Sequence, residues 1–427
     1  MQTLFTAAQL ADPETAASHA EIRKCVHCGF CTATCPTYVL LGDERDSPRG
    51  RIELIKAMLE EGGPPAKETV THVDRCLSCL ACKTTCPSGV DYAQLIDHGR
   101  AHIEATYRRP LPERVLRALI PAVLTRPGRL RAALALGRVA RPLAPMLEAM
   151  KLRPIAALLR LVPKRAAGPS ARSSRRAQGA VRGRVALLQG CVEPAMAPSI
   201  REAAMRLIAR AGFEVVLVEG EGCCGALSEH LGRAQEARSF AAANVAAWTQ
   251  AGPFDAIVTT AAGCGATLKA YGHRLAGDAD AADAASRARD VMEFIAAVGL
   301  PPVTRPGALS VAYHAPCSLQ HGQGIKDAPV ALLVEAGFEL RTIAEGHLCC
   351  GSAGVYNILQ PQLAARLRDR KAANIARTGA AVVTAGNVGC IAQIAPGVSA
   401  PVIHPVELLD WATGGPMPAS LSVQMGA

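Results

Sequence analysis

Hydrophobic and polar positions follow one repeated pattern in the second half of this chain. Short apolar runs of strand length alternate with longer segments in which apolar residues recur every three to four positions, as in SIREAAMRLIARA and LGRAQEARSFAAANVAAWTQ. Buried strands are typical of the first kind of segment and amphipathic helices of the second. Because strands that alternate with helices favour a parallel sheet with helices on its faces, we predict two α/β units. The predicted strands are RVALLQG, FEVVLVE and FDAIVTT in residues 184–300, and LSVAYHA, FELRTIA and AAVVTAG in residues 308–413.

A different pattern fills residues 108–165, where arginines alternate with Leu, Ala, Val and Pro. This pattern predicts several short amphipathic basic helices. We expect prolines to interrupt them, at Pro121, Pro127, Pro142, Pro145 and Pro154. The Gly-, Ser- and Arg-rich stretch at 168–183 is typical of a flexible linker. Three interpretations of the basic helices stay open: contact with an anionic membrane surface, an ordinary solvated face, or docking to an acidic partner protein.

The length and the N-terminal residues limit the class of protein to which this chain can belong. The 427 residues, 50% of them hydrophobic, are enough for two or three domains with separate cores. The first residues show no secretory signal, and no apolar run is long enough to span a membrane. We therefore expect a cytoplasmic chain with reduced thiols, in which clustered cysteines bind metal rather than form disulfides. Contact of the basic helices with lipid would place it peripherally on the inner face of the cytoplasmic membrane.

The positive charge is concentrated in one segment. The whole chain has a formal net charge of +10, but residues 108–184 contain 19 Lys and Arg and only two acidic residues. That segment alone carries +17, so the rest of the chain carries −7. A chain that is basic only in one block does not have the charge distribution of a general nucleic-acid-binding protein, and we expect no nucleic-acid partner.

The sixteen cysteines form two sets of eight, and each set has its own internal period. In the first set four cysteines recur 51 residues later: Cys25, Cys28, Cys31 and Cys35, then Cys76, Cys79, Cys82 and Cys86. In the second set four cysteines recur 126 residues later: Cys191, Cys223, Cys224 and Cys264, then Cys317, Cys349, Cys350 and Cys390. Two different periods in one chain indicate two separately duplicated units.

Both halves of the first set have the spacing C-x2-C-x2-C-x3-C-P, as CVHCGFCTATCP and CLSCLACKTTCP. This run is typical of bacterial two-cluster ferredoxins, in which the fourth cysteine of each run binds the other cluster. We therefore predict two [4Fe–4S] clusters with crossed ligation. The predicted ligands are Cys25, Cys28, Cys31 and Cys86 for one cluster, and Cys76, Cys79, Cys82 and Cys35 for the other. Zinc is the alternative for C-x2-C pairs, but two complete runs that end in proline favour iron–sulfur clusters.

Both halves of the second set read C-x31-C-C-G, followed by a fourth cysteine after the next predicted strand. Because the carboxyl ends of parallel strands meet at one edge of a sheet, the four thiols of each unit should converge there. A further iron–sulfur cluster and a set of redox-active thiols are the two functional interpretations. The structural alternative is that these cysteines are small buried hydrophobic residues.

Together these patterns predict an α+β multidomain protein. Residues 1–105 form a bacterial two-cluster ferredoxin-like helical domain, and residues 106–183 form a basic helical connector and linker. Residues 184–300 and 308–413 form two tandem α/β Cys-Cys-Gly units with parallel sheets.

Four other polar residues lie near the cysteines in the sequence. Arg49 and Arg51 can place positive charge beside a cluster, but we interpret them as part of the solvated start of a helix, with Pro48 in its first turn. His314 and His347 precede cysteines of the second Cys-Cys-Gly unit. We interpret both histidines as packed or hydrogen-bonded neighbours of a site and not as ligands.

One further motif matches a nucleotide-binding fingerprint by chance. GEGCCG at 220–225 matches the dinucleotide fingerprint G-x-G-x-x-G, but its repeat, GHLCCG, lacks the middle glycine. A site of that kind would also put cysteines where the phosphates must approach. We therefore predict no flavin or nicotinamide site on this chain.

Several stretches together resemble the iron–sulfur subunits of bacterial glycolate oxidase over nearly the whole length. They are CVHCGFCTATCPTYVLLGDE, PRGRIELIK, RRPLPERVLR, GCCGA, AGCGA and HLCCGSAG. The layout also resembles the third subunit of anaerobic glycerol-3-phosphate dehydrogenase. More distantly, the duplicated second half is similar to the catalytic subunit of heterodisulfide reductase.

The resemblance implies an electron-transfer subunit of a flavin-dependent glycolate (2-hydroxyacid) dehydrogenase. Two flavoprotein subunits would oxidise glycolate to glyoxylate at FAD, which is expected on those partners only. Electrons would pass through the two [4Fe–4S] clusters of this chain toward a membrane quinone. No residue of this chain is expected to be catalytic.

The resemblance also leaves alternatives. In the heterodisulfide reductase relatives each unit ends in C-x-x-C and binds an unusual cluster, whereas Thr267 and Gln393 stand in place of the last cysteine here. Each unit thus offers four thiols. The other functions to be considered are the equivalent subunit of glycerol-3-phosphate dehydrogenase, an enzyme that reduces a disulfide at the Cys-Cys-Gly sites, and a redox-sensing scaffold.

Overall fold

The N-terminal region of this computed structural model is entirely helical. The structure describes residues 1–163, 168, 170, 173–305 and 307–425. The N-terminal helices are Ala7–Leu10 (α1), Pro13–Lys24 (α2), Phe30–Thr34 (α3), Pro36–Leu41 (α4), Pro48–Glu61 (α5), Lys67–Asp74 (α6), Ala81–Thr85 (α7) and Tyr92–Thr106 (α8). Their core is formed by aliphatic side chains with no exposed surface, such as Ile22, Ile55 and Leu95, packed around cysteines of the first set.

Helix α5 shows how the sequence sets these boundaries. The side chain of Ser47 accepts a hydrogen bond from the backbone N–H of Gly50, and Pro48 occupies the first helical position. Gly62 ends the helix in the left-handed conformation that favours glycine. Arg51 and Ile55 lie four residues apart and therefore share one face, and both side chains are buried.

Four helices lie in the described part of the basic connector, as the arginine-rich pattern predicts. They are Leu111–Leu124 (α9), Pro127–Ala140 (α10), Ala144–Ala149 (α11) and Arg153–Leu161 (α12), with a 3₁₀ turn at Arg141–Leu143. Of the five prolines predicted to interrupt these helices, four lie in the first turn of an element, where the missing backbone N–H has no hydrogen bond to lose.

The predicted interruption at Pro121 is wrong, because this residue lies inside α9. The helix continues for one more turn, since the Pro121 carbonyl accepts hydrogen bonds from both the N–H and the hydroxyl of Thr125. Pro121 is also buried, so packing holds this turn in place.

The predicted linker is only partly described, because residues 169 and 171–172 lie outside the described residues. Beyond them, Arg175 pairs with Val215 through two backbone hydrogen bonds of 2.8 Å in an antiparallel bridge. The end of this segment is thereby attached to the edge of the first sheet.

The first α/β unit contains a four-stranded parallel sheet. Its strands are Gly183–Leu187 (β1), Phe213–Val216 (β2), Ala256–Thr259 (β3) and Ala288–Asp290 (β4), in the order β2-β1-β3-β4. Its helices are Glu193–Met196 (α13), Pro198–Arg210 (α14), Ala226–His230 (α15), Ala234–Ala251 (α16), Ala262–Lys269 (α17), Tyr271–Arg274 (α18), Ala279–Arg287 (α19) and Val291–Val298 (α20). The three predicted strands are confirmed, and β4 is an additional strand.

The second unit repeats this sheet. Its strands are Ser310–His314 (β5), Glu339–Arg341 (β6), Val382–Ala385 (β7) and Val402–Ile403 (β8), in the order β6-β5-β7-β8. Its helices are Asp327–Glu335 (α21), Tyr356–Leu359 (α22), Pro361–Ala376 (α23), Val388–Ile394 (α24), Pro405–Ala412 (α25) and Ala419–Met425 (α26). A single π turn at Ser318–Gly322 follows β5. The pairings between the strands named above are all parallel, as predicted.

The two units share one hydrophobic core. Side chains of α14 and α20 from the first unit pack with side chains of α21 and α25 from the second. A buried ion pair adds to this contact, because Asp410 on α25 accepts hydrogen bonds from Arg206 at 2.9 and 2.7 Å and also from Arg210. The sheets are thereby held in a fixed relation to each other.

Candidate metal centres

The two predicted ferredoxin runs fold in the same way. Each run leaves the end of a helix, passes through a loop, and places its third cysteine in a one-turn helix, α3 or α7. His27 and Gly29 have left-handed backbone in the first loop, and Ser78 and Leu80 have it 51 residues later. A left-handed non-glycine residue is strained by about 1–3 kcal/mol and persists mainly where the surroundings impose it, as at ligand sites. The repeated strain therefore indicates that both loops are shaped to bind a ligand.

The helices α3 and α7 pack against each other, and this contact brings the two runs together. Two pockets result, each lined by three cysteines of one run and the fourth cysteine of the other. The pocket that we call the outer pocket is lined by Cys25, Cys28, Cys31 and Cys86. The inner pocket is lined by Cys35, Cys76, Cys79 and Cys82. Cys82 also lines the outer pocket, so the two pockets are adjacent.

The two pockets differ in exposure. All four cysteines of the inner pocket are buried, whereas Cys28 of the outer pocket is exposed and Cys31 and Cys86 are half-buried. Burial raises the pKa of the Cys79 and Cys82 thiols well above its usual range. These thiols are therefore protonated unless a metal displaces the protons.

Hydrogen-bond donors surround the inner sulfur atoms. The backbone N–H of Ser78 is 3.4 Å from Cys76 Sγ, and the hydroxyl of Tyr92 is 3.8 Å from the same sulfur. The hydroxyl of Thr37 lies 3.3 Å from Cys35 Sγ and donates to the carbonyl of Asp46 at 2.8 Å. Four converging thiols, with donors aimed at Cys76, fit a [4Fe–4S] cluster, whose sulfur ligands are negatively charged and accept such hydrogen bonds.

The interpretation of Arg51 as part of a solvated helix start is wrong. Arg51 is 1% exposed, and its guanidinium lies 3.8 Å from Cys35 Sγ. Its Nη2 donates to the hydroxyl of Thr37 at 2.9 Å and to the buried carboxylate of Asp46 at 3.2 Å, and its Nε donates to the carbonyl of His72 at 2.7 Å. Arg49, by contrast, is partly exposed and binds the carbonyl of His27 at the outer pocket. The full burial of Arg51 follows from packing against segments distant in sequence, which the local pattern did not reveal.

In the first Cys-Cys-Gly unit, the four predicted thiols converge. Cys191 follows β1, the adjacent pair follows β2, and Cys264 follows β3, so all lie at the carboxyl edge of the sheet. Cys224 Sγ is 3.3 Å from Cys264 Sγ, and further hydrogen bonds link Cys191 to Cys223 and Cys223 to Cys224. Hydrogen bonds from Cys223 and Cys264 lower the pKa of Cys224. We call these four residues the first thiol group.

The second unit forms an equivalent second thiol group of Cys317, Cys349, Cys350 and Cys390. Cys317 Sγ and Cys349 Sγ are 3.8 Å apart. The N–H of the glycine after each Cys-Cys pair lies 3.4 Å from the first sulfur of that pair, in both units. The 126-residue period is therefore a period of the site geometry as well as of the sequence.

Only the second thiol group lies against the inner pocket among the described residues. Leu77, Cys79 and Ala81 belong to the same hydrophobic cluster as the thiols of this group. Cys79 is close enough to Cys317 and Cys349 for charges on these sulfurs to raise one another's pKa. The cluster around the first thiol group contains no N-terminal cysteine. The two units thus differ in their relation to the N-terminal region.

The two histidines near the second unit have different environments. His347 is exposed, and its carbonyl lies 3.4 Å from His321 Nε2. His314 is 2% exposed, and its ring lies beside Cys350 and Cys390, where burial lowers its pKa to about 3. Neither ring nitrogen of His314 has a hydrogen-bond partner among the described residues. The position before the Cys was visible in the sequence, but the burial and the missing partners were not.

Two protein families match the chain. The 4Fe-4S dicluster domain family matches residues 21–90, and the Cysteine-rich domain family matches residues 185–269 and again 311–395. The predicted fold class is thereby confirmed: an N-terminal two-cluster domain followed by two Cys-Cys-Gly units. The matched segments contain all sixteen cysteines.

Relatives match along nearly the whole chain. The chain is 39% identical to the glycolate oxidase iron–sulfur subunit of Escherichia coli K12, with 96% of this chain and 99% of the relative covered. It is 32% identical to the probable glycolate oxidase iron–sulfur subunit of Bacillus subtilis 168, with 92% and 94% covered. A crystal structure of a hypothetical protein from Helicobacter pylori covers 96% of this chain and 74% of its own, at a TM-score of 0.54 and 8% identity. That last likeness shows the fold alone.

Proposed function

Since this chain belongs to the family of glycolate oxidase iron–sulfur subunits, we propose that it is the electron-transfer subunit of a flavin-dependent 2-hydroxyacid dehydrogenase whose substrate is glycolate. The observation that carries this proposal is the placement of the thiols. They extend from the exposed Cys28, through Cys82, which lines both pockets, to the second thiol group beside Cys79.

We assign the eight N-terminal cysteines as ligands of two [4Fe–4S] clusters with crossed ligation. The outer set is Cys25, Cys28, Cys31 and Cys86, and the inner set is Cys35, Cys76, Cys79 and Cys82. Bound there, the clusters supply one-electron transfer. The lining of the two pockets supports this assignment, because each pocket contains three cysteines of one run and the fourth cysteine of the other run.

The surface around the outer pocket fits the docking of a flavoprotein. Cys28 is exposed, and Val26 and Phe30 beside it are 68% and 64% exposed. Large apolar side chains around an exposed redox ligand are typical of a partner contact. We infer that flavoprotein subunits approach here, so that their FAD lies near Cys28.

The partners proposed for this chain are those that the resemblance to glycolate oxidase subunits implies, and they suit the chemistry of the substrate. Oxidation of glycolate to glyoxylate releases two electrons and two protons, and FAD can accept both electrons at once. The cysteines of this chain hold carriers that accept one electron each, and a membrane quinone is the proposed final acceptor. We therefore propose a complex with two FAD-binding flavoprotein subunits, with FAD on those subunits only.

The basic connector is proposed to contact an anionic membrane. Leu111, Val115 and Leu119 recur every four residues on α9 and are 69%, 49% and 55% exposed. On α10, Leu136 and Val139 are 73% and 83% exposed. Apolar side chains that point outward between arginines suit an anionic lipid surface, where each basic residue contributes about 1 kcal/mol. No helix among the described residues is long and apolar enough to cross a bilayer.

Vesicle flotation tests this contact. The assembled complex should float with vesicles of phosphatidylglycerol and phosphatidylethanolamine, and not with phosphatidylcholine vesicles. Replacing Leu136 and Val139 by aspartate should abolish flotation, whereas Val334→Asp, at another exposed apolar residue (57% exposed) on α21, should leave it intact. Equal flotation of all three proteins would exclude this surface.

Electron transfer is tested with the assembled complex. The flavoprotein subunits alone should reduce a dye that accepts electrons from FAD, but should reduce a soluble quinone with glycolate only when this chain is present. Cys76→Ser should remove quinone reduction and leave dye reduction intact. If glycerol 3-phosphate supports the reaction and glycolate does not, the chain serves the other dehydrogenase. Quinone reduction that is independent of this chain would overturn the proposal.

A further inference from the structure

One difference between the two Cys-Cys-Gly units lies at the end of the strand that precedes the first thiol of each group. The last residue of β5 is His314, and the residue 126 positions earlier is Leu188, which is buried among apolar side chains. The first unit folds with leucine at this position, so the sheet itself does not require an imidazole there. The fold that both units share therefore leaves the histidine unexplained, and a role for it would be specific to the second unit.

The surroundings of His314 indicate that role. One ring nitrogen of His314, Cys350 Sγ and Cys390 Sγ all lie within 4.8 Å of one another. The ring is 2% exposed, and neither nitrogen has a hydrogen-bond partner among the described residues. A buried polar group without a partner is unfavourable, and such groups are rare in native proteins. An atom that binds the ring from the side of the thiols would remove this cost.

Two neighbours of His314, Lys371 and Ala385, do not fill that role. Lys371, whose charge acts on His314, donates its own hydrogen bond to the carbonyl of Glu345 at 2.8 Å. Ala385 is the neighbour of His314 in the sheet and has no polar side chain. By comparison, the buried His404 in the same unit uses both nitrogens, since Nδ1 accepts from Val406 N and Nε2 bonds the Thr260 carbonyl.

We propose that His314 is a nitrogen ligand of an iron–sulfur centre that is otherwise held by the second thiol group. Imidazole and thiolate are both ligands of such centres, and mixed ligation of this kind is known where histidine replaces cysteine at iron. The position beside Cys79 places this centre next to the inner pocket. The first thiol group lacks a nitrogen donor at the equivalent position and would not form the same centre. This inference rests on the proposed iron–sulfur function but does not depend on the substrate.

The test uses the full chain purified without oxygen. Iron and acid-labile sulfide are counted, and pulsed EPR of protein with ¹⁵N-labelled histidine is recorded in the reduced and oxidised states. Three variants are compared: His314→Leu, which copies the first unit; His314→Cys, which keeps a ligand but removes the nitrogen; and the control His404→Gln. The same variants are assembled with the flavoprotein subunits and supplied with glycolate.

The wild-type chain should hold more than about eight irons, the content of two [4Fe–4S] clusters, and should show a ¹⁵N coupling. His314→Leu should lose the additional iron and the coupling. His314→Cys should keep the iron and lose the coupling, and His404→Gln should keep both. A wild-type chain with about eight irons, or an unchanged coupling in His314→Cys, would overturn the inference. Because the N-terminal clusters should still be reduced by glycolate in His314→Leu, failure of that reduction would instead count against the proposed function.

Discussion

The guanidinium of Arg51 lies 3.8 Å from Cys35 Sγ, in a position with almost no access to solvent. Asp46, which binds the same arginine, is also fully buried and binds Arg75 at 2.9 Å. If Cys35 holds a cluster as proposed, a charge this close to its ligand, with little water to screen it, would act directly on the redox state of that cluster. The inner pocket thus contains a fixed positive charge in addition to its four thiols.

Replacing this charge should lower the reduction potential at the inner pocket. We expect Arg51→Gln to shift the potential downward by on the order of 60 mV, which corresponds to a tenfold change in a one-electron equilibrium. The measurement is an EPR-monitored redox titration. Lys56→Gln is the matched control, because Lys56 lies on the same helix and pairs only with exposed or half-buried glutamates. An equal shift in both variants would contradict a local effect of Arg51.

The proposed crossed ligation predicts which of the two clusters is lost when a given cysteine is replaced. The outer pocket contains the exposed Cys28, so a chelator should remove about four irons quickly from this site and about four slowly from the buried inner site. Cys86→Ser should abolish the fast phase, and Cys35→Ser should lower the iron released in the slow phase by about four. The measurement is the time course of iron release to a chelator under reducing conditions. If Cys86→Ser removes the slow phase instead, each run binds its own cluster and the crossed assignment is wrong.

The contact between the two α/β units depends on Asp410. This carboxylate is 1% exposed and binds Arg206 and Arg210 of the other unit. Asp410→Asn leaves both arginines without their counter-charge, and we expect the free energy of unfolding to fall by about 3 kcal/mol. Asp369→Asn is the control, because its ion pair is on the surface and should contribute less than about 1 kcal/mol. Urea unfolding of both variants tests this, and equal losses would show that the buried pair has no special role.

The stability of the first unit should depend on pH through Asp290. Burial raises the pKa of this carboxyl from 3.8 to about 7 in the folded chain, and its Oδ2 has no hydrogen-bond partner among the described residues. Between pH 4 and 7 the folded state therefore holds a proton that the unfolded state has lost, so stability falls as pH rises and levels off above pH 7.

Asp290→Asn removes this ionisation and keeps a residue that can cap α20. The stability of the variant relative to the wild type should increase from pH 5.5 to 7 and stay constant above, within a limit of about 4 kcal/mol. Urea unfolding at pH 5.5, 6.5 and 8 measures the difference. A difference that is the same at all three values would show that Asp290 ionises normally.

Much of the fold follows from patterns that are local in sequence. Five of the six predicted strands contain a continuous apolar run, whereas FELRTIA was predicted because it follows the order of segments in the first unit; the structure confirms all six. The strands β4 and β8 were missed because they have only three and two residues, and ARD in β4 has two charged side chains. Their pairing is imposed by the neighbouring strand β3 or β7, and no property of their own sequence indicates it.

The thiol groups could be predicted because strand order fixes where the carboxyl ends of the strands meet. The roles of Arg51 and His314 could not be predicted in this way. Arg51 is enclosed by Thr37, Asp46 and the carbonyl of His72, which come from three other segments. Burial of a polar residue depends on the packing of such distant segments, and a single sequence contains no local signal for it.

The most direct test of the central claim is EPR of the assembled complex as glycolate is added without oxygen, with iron counted in the same sample. The signals of reduced [4Fe–4S] clusters should appear on addition of glycolate and disappear on addition of a quinone. They should be absent when Cys76 and Cys28 are both replaced by serine. If glycolate reduces the FAD while the iron of this chain stays oxidised, the eight N-terminal cysteines are not on the path of the electrons and the account is wrong.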